Sequence, residues 1–167
     1  MKKFIVAIMI LLFPLMVFGQ QKALFTDEGY IQFKNDKFFI LFVLVNDLQA
    51  SVDAWKKPET PTIYETTKVK MNEPISLFIL YTTMEDAIDL TYNFRIRKPN
   101  ETFSDFGHDG LIISNTVIKK GVLYPANTMP TMIFDEKEET GVYYYIVQLF
   151  NHNEYIESFI LKFNLIE

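Results

Sequence analysis

The sequence contains no cysteine, two histidines, six glycines and a single tryptophan. Without cysteine there is no disulfide and no structural zinc site of the thiolate kind, so stability must come from burial alone. The two histidines, His108 and His152, both fall in expected loops, and a two-histidine metal site would require those loops to meet. Asp105, His108 and Asp109 match no defensible ligand spacing, and the acidic run at 135–139 lacks the alternation and central glycine of a calcium loop. No phosphate-cradling glycine loop is present, and none of the serines stands in a Gly-x-Ser-x-Gly elbow. Acidic residues outnumber basic ones 21 to 16, with no basic cluster interleaved with aromatics, which argues against a nucleic-acid partner. Neither catalytic residues nor a cofactor or metal site is expected.

What the chain does have begins with MKKFIVAIMILLFPLMVFGQQ, where Lys2 and Lys3 precede an uncharged apolar stretch from Phe4 to Phe18. Val17-Phe18-Gly19 ends it with a small residue at the cut position and an acceptable one two before it, the layout of a secretory signal peptide over residues 1–19. The stretch is short for a bilayer span, which needs roughly 20 residues, and Pro14 interrupts it. Removing Lys2 and Lys3 leaves 14 basic against 21 acidic residues, a net −7. The expectation is a periplasmic or secreted protein with no stable membrane insertion after signal removal.

The remainder reads as strand and turn, with one exception. GYIQF and FFILFVLV flank the polar turn Lys34-Asn35-Asp36-Lys37, a hairpin whose second strand is apolar on both faces. Asn46 with Gln49 resembles a capping box, and Leu48, Val52 and Trp55 recur at helical spacing. A short helix is therefore expected near 47–56, laying Trp55 on the core as a packed anchor. Strands are expected in IYETTKVKM, ISLFILYTT and IDLTYNFRIRK, then a short return strand in TFSDF, a loop at 107–110, and strands in LIISNTVI and MPTMIF. In the third of these Leu90, Tyr92, Phe94 and Ile96 face one way, and Asp89, Thr91, Asn93, Arg95 and Arg97 the other. Eight or nine short strands with turns every 8–12 residues predict an all-β antiparallel sandwich. Residues 20–60 are read as a hairpin and helix packed on a sandwich of 61–167.

The stretch EETGVYYYIVQLFNHNEYIESFILKF is read as two adjacent strands. Glu139, Gly141 and Tyr143 stand where a sandwich corner places an acid, a glycine and a tyrosine whose hydroxyl bonds back to the preceding loop. Tyr143, Tyr145, Val147 and Leu149 should face the core, with Phe159, Leu161, Phe163 and Leu165 opposite them. The other face, Val142, Tyr144, Ile146 and Phe150, is also apolar. It is either a partner surface or the seat of residues 30–56, which would cover it.

Trp55 with Pro58 and Pro61, the FRIRKPN strand and turn, and Gly141-Val142-Tyr143 ahead of a strand ending at Asn151 resemble small exported bacterial proteins of uncharacterised function with a single immunoglobulin- or fibronectin-III-like domain. The resemblance implies an immunoglobulin-like β-sandwich and carries no active residues. Glu101 stands where that hairpin would usually have glycine. The functional expectation is a non-catalytic binding or assembly module working on a protein partner or by self-association. The alternative is a carbohydrate-binding module using Trp55, Tyr64, Tyr124 and Tyr155 as stacking platforms.

Overall fold

A computed structural model describes residues 23–56, 63, 65–85, 88–107, 109–114 and 120–167. The expected signal peptide, Tyr64, His108 and the end of LIISNTVI lie outside the described residues. The chain runs β1 (Leu24–Thr26), β2 (Tyr30–Lys34), β3 (Phe38–Val45), α1 (Leu48–Trp55), β4 (Lys68–Lys70), β5 (Pro74–Thr83), β6 (Asp89–Arg97), β7 (Asp109–Ser114), β8 (Tyr124–Pro125), β9 (Thr131–Ile133), β10 (Gly141–Asn151) and β11 (Glu154–Ile166).

Two sheets form the sandwich. The first has the order β1-β11-β10-β6-β7, with β4 also on β11; the second has β2-β3-β5-β8, with β9 also on β5. All pairings are antiparallel except those of β1 and β4, which lie parallel to successive parts of the long strand β11. The hairpin β2–β3 is thus the edge and second strand of the second sheet.

Alternation in the strands builds the core. Leu90, Tyr92, Phe94 and Ile96 of β6 are buried, as are Tyr143, Tyr145, Val147 and Leu149 of β10 and Phe159, Leu161, Phe163 and Leu165 of β11. Phe38, Ile40, Phe42 and Leu44 of β3 meet them from the second sheet. Rings cross the gap: Phe42 and Phe159 have centroids 5.0 Å apart, and Phe134, after β9, lies 5.0 Å from Tyr143 and 5.7 Å from Phe163.

The apolar double face of β3 has a physical reason. Its other side, with Phe78 and Leu80 of β5, forms a second cluster around Val43 and Val45, covered by Leu48, Val52 and Trp55 of α1. Trp55 is therefore half-buried on the outside of the second sheet, not laid on the main core as expected. The helix also starts one residue late. Asn46 is spent leaving β3, and Asp47, in extended conformation, accepts the Ala50 N–H at 2.8 Å, bringing a full charge to the helix N-terminus. Gln49 turns instead to Asp53, 2.8 Å away.

Three other expectations change. Among the described residues of IYETTKVKM, only Lys68–Lys70 form strand. TFSDF is not a strand: Phe103 alone bridges Arg97, and the Ser104 hydroxyl then takes the Phe106 N–H at 3.1 Å, bending the chain away from the ladder. Asp109 and Gly110, expected in a loop, open β7, where Asn93 faces Asp109 and Tyr92 faces Gly110. A Cβ at Gly110 would run into the Tyr92 ring, so the close pairing requires glycine there.

Tyr145 stacks on Phe94 at 5.0 Å and is fully buried, yet its hydroxyl has no hydrogen-bond partner. A buried unpaired hydroxyl costs about 1–3 kcal/mol. Tyr145→Phe removes it without opening a cavity, so the variant should gain about 1 kcal/mol in urea denaturation. A loss of that size would show that the hydroxyl is paired.

Candidate functional site

The outer face of the first sheet follows from the same alternation that builds the core. On β10 it carries Val142, Tyr144, Ile146 and Gln148. Register then sets the neighbours. Tyr144 lies between Arg97 of β6 and Lys162 of β11; Ile146 lies between Arg95 and Ile160; Ile160 in turn faces Phe25 of β1. The Arg97 guanidinium sits 4.4 Å from the Tyr144 ring centroid and 3.0 Å from the Glu101 carboxylate. Arg97 is thereby held flat on the face by a cation–π contact and an ion pair.

Residues 30–56 do not cover this face. Their strands belong to the second sheet, and their helix covers that sheet's own outer side. No described element packs over Tyr144 and Ile146. Phe25, 56% exposed, and Phe103, 52% exposed, flank the surface, and Ile146 shares a shallow hollow with Arg95 and Phe103. The result is an apolar band bordered by Arg95, Arg97 and Lys162.

Phe150 is separated from this band. Gln148, exposed, intervenes, and a bulge between Leu149 and Phe150 pairs Phe150 with Tyr155. Their rings meet edge to face at 6.0 Å. Phe150 instead lines a cleft of about 630 Å³ at the end of the sheet, between the β6–β7 pair, the β10–β11 turn and Thr128. That turn is tight: His152 and Asn153 both have positive φ, 48° and 65°, and the His152 N–H donates to the Asp89 carbonyl at 2.9 Å.

The predicted corner residues come together at the opposite end. The Tyr143 hydroxyl donates to the Glu139 carbonyl at 2.8 Å, and Glu138 pairs with Lys98 at 2.9 Å. Gly141 has φ 141°, and a Cβ there would crowd Pro99 at 3.1 Å, which ties the corner to the β6 turn. Glu101 occupies the left-handed position of that turn with φ 66°, where glycine is easier, and its carboxylate serves Arg97. The acidic run is thus a structured loop feeding the corner.

The other sequence candidates scatter. Trp55, the last residue of α1, packs on the second sheet, Tyr124 is half-buried beside Tyr81 at 6.3 Å, and among the described candidates only Tyr155 is exposed. No group of three or more metal-ligating side chains occurs among the described residues, and no helix among them is long and apolar enough to cross a membrane. Sequence reasoning missed Phe25, Ile160 and Lys162 on the band, and Gly110, Thr128 and Asn153 in the cleft. Ile160 and Lys162 were accessible from the alternation of β11; the cleft residues gave no local signal.

No protein-family model and no curated protein matches the chain. Among solved structures it is similar to a Pseudomonas fluorescens alkylpurine DNA glycosylase bound to DNA, at 14% identity and TM-score 0.39, over 60% of this chain and 28% of that one. It is also similar to a family 123 glycoside hydrolase from Clostridium perfringens, at 11% identity and TM-score 0.36, over 77% of this chain and 27% of that one. The chain thus spans under a third of either protein, and at these TM-scores neither likeness bears on fold or activity.

Burial first, then the neighbouring Glu138, pushes the Tyr143 phenol up from 10.0 to about 12. Burial raises Tyr145 and Tyr92 as well. The native state then holds these protons more tightly than the unfolded chain. For Tyr143 that stabilisation is complete below pH 10.0 and is lost as pH climbs towards about 12. Tyr143→Phe should flatten the fall of urea-denaturation stability across that window, whatever its effect at neutral pH. An unchanged slope would refute the assignment.

Proposed function

We propose that the chain is a non-catalytic, exported binding or assembly module that engages a protein partner through the outer face of its first sheet. The observation that carries this reading is the asymmetry between the sheets. The second sheet has its outer side covered by α1, while the first leaves Phe25 exposed and Tyr144 and Ile146 half-buried, with no described helix or strand packed across them. Contiguous apolar surface ringed by polar groups is the signature of an interaction site.

Charge narrows the partner. The chain is acidic overall, with 21 acidic and 16 basic residues, yet the band is bordered by Arg95, Arg97 and Lys162. Arg beside an aromatic on a half-buried surface suits an apolar partner that presents carboxylates. A two-fold dimer through this face would bring the Arg95 and Lys162 borders of two copies together, whereas Arg97 is already paired with Glu101, so a different protein is favoured over isologous self-association. The connectivity supports the immunoglobulin-like reading: β3-β5-β9 lie in one sheet, β4-β11-β10-β6-β7 in the other, and β4 runs parallel to β11. The carbohydrate-binding alternative loses Trp55 from its platform, because that ring packs against Val43, Val45, Phe78 and Leu80.

Placing the photo-cross-linker p-benzoylphenylalanine at Gln148, in cells that export the protein, should trap an adduct heavier than the chain itself. Tyr144→Glu combined with Ile146→Asp should abolish that adduct while the β-rich circular dichroism spectrum is retained. Persistence of the adduct in the folded double variant, no adduct at all, or an adduct of two copies of this chain would each refute the reading.

A further inference from the structure

We propose that the cleft at the end of the first sheet is a binding site for a neutral carbohydrate, distinct from the band that engages a protein. Its volume, about 630 Å³, falls in the range of small-molecule sites. Its walls are already fixed. Thr128 is tied to β7 by its N–H to the Leu111 carbonyl at 3.1 Å, its hydroxyl to the same carbonyl at 2.9 Å, and the Leu111 N–H to that hydroxyl at 2.8 Å. Phe150 is braced edge-on by Tyr155, whose hydroxyl is in turn held by Ser158 at 2.8 Å. A ring held in this way presents its surface without an ordering cost on binding.

The chemistry of the lining selects the ligand by exclusion. No lysine or arginine occurs among the described lining residues, and Asp109 contributes a carboxylate, so a phosphate or other anion is disfavoured. Asp109 is the one acid among them and already accepts the Asn93 amide at 2.8 Å, too little for a metal ion. A wholly apolar ligand would desolvate Asp109, Asn153 and Thr91 without replacing their hydrogen bonds, at about 1–3 kcal/mol each. A polyhydroxylated ring meets every demand. Its hydroxyls both donate and accept, so they serve the carboxylate, the amide and the threonine alike, while its C–H face packs on Phe150.

The site is remote from the band in the variants that test it. Asn153→Gly removes the amide yet keeps the left-handed turn, since glycine adopts φ near 65° without strain. The probes are soluble neutral polysaccharides (xyloglucan, galactomannan, mixed-linkage β-glucan, arabinoxylan and glycogen), with polygalacturonate as the anionic comparison, in native affinity electrophoresis of the purified protein. At least one neutral glycan should retard the protein. Phe150→Ala should weaken that binding about tenfold. Asn153→Gly should weaken it roughly threefold or more with melting temperature unchanged. Tyr144→Glu, which disables the protein-binding band, should leave it intact. The proposal is overturned if no neutral glycan binds, if polygalacturonate binds better, or if the folded Asn153→Gly variant binds as tightly as the parent.

Discussion

Rings that cross from one sheet to the other hold this sandwich together in place of a covalent bridge. Phe42 against Phe159, and Phe134 against Tyr143 and Phe163, pin the sheets at separate points along their length. Each such side chain buries on the order of 150–250 Å². In a chain without cysteine that area is the main source of cohesion. Because side chains alternate across a strand, fixing the inner rings also fixes what stands outside. Tyr143 and Tyr145 inward means Tyr144 and Ile146 outward.

The two sheets resolve their outer faces differently. In the second, β3 and β5 carry apolar residues on both sides, and the helix after β3 supplies the cover. In the first, β6 is amphipathic and contributes Arg95 and Arg97 beside the apolar row of β10, with Lys162 on the far side. A face of that composition is soluble enough to stay open and apolar enough to dock. The outward apolar band is therefore a by-product of which strand neighbours which, given one dry side that both strands must share.

The ends of the sandwich are set by backbone rather than by packing. Gly141 crosses Pro99 at one end, under the Tyr143 corner; at the other, Gly110 passes the Tyr92 ring, and His152 and Asn153 turn β10 into β11. Gly110 and the left-handed His152 and Asn153 shape the cleft around Phe150. They also explain why Phe150, a neighbour of Ile146 by alternation, belongs to a different surface: the bulge after Leu149 re-aims its partner to Tyr155.

Local pattern was enough for the inner faces of β6, β10 and β11, for the double apolar face of β3 and for the corner residues Glu139, Gly141 and Tyr143, because each depends on a spacing within a few residues. It placed Tyr144 and Ile146 on the side away from the core for the same reason. It misplaced the helix cap by one residue and took TFSDF for a strand, since Asn and Asp cap almost equally and a serine side chain competes with the ladder. Which surface α1 covers, which cations flank Tyr144, and the meeting of Asp109, Thr128, Phe150 and Asn153 in one cleft were decided only by long-range pairing. Those residues come from segments far apart in sequence, and nothing in the spacing of one segment records the register of another.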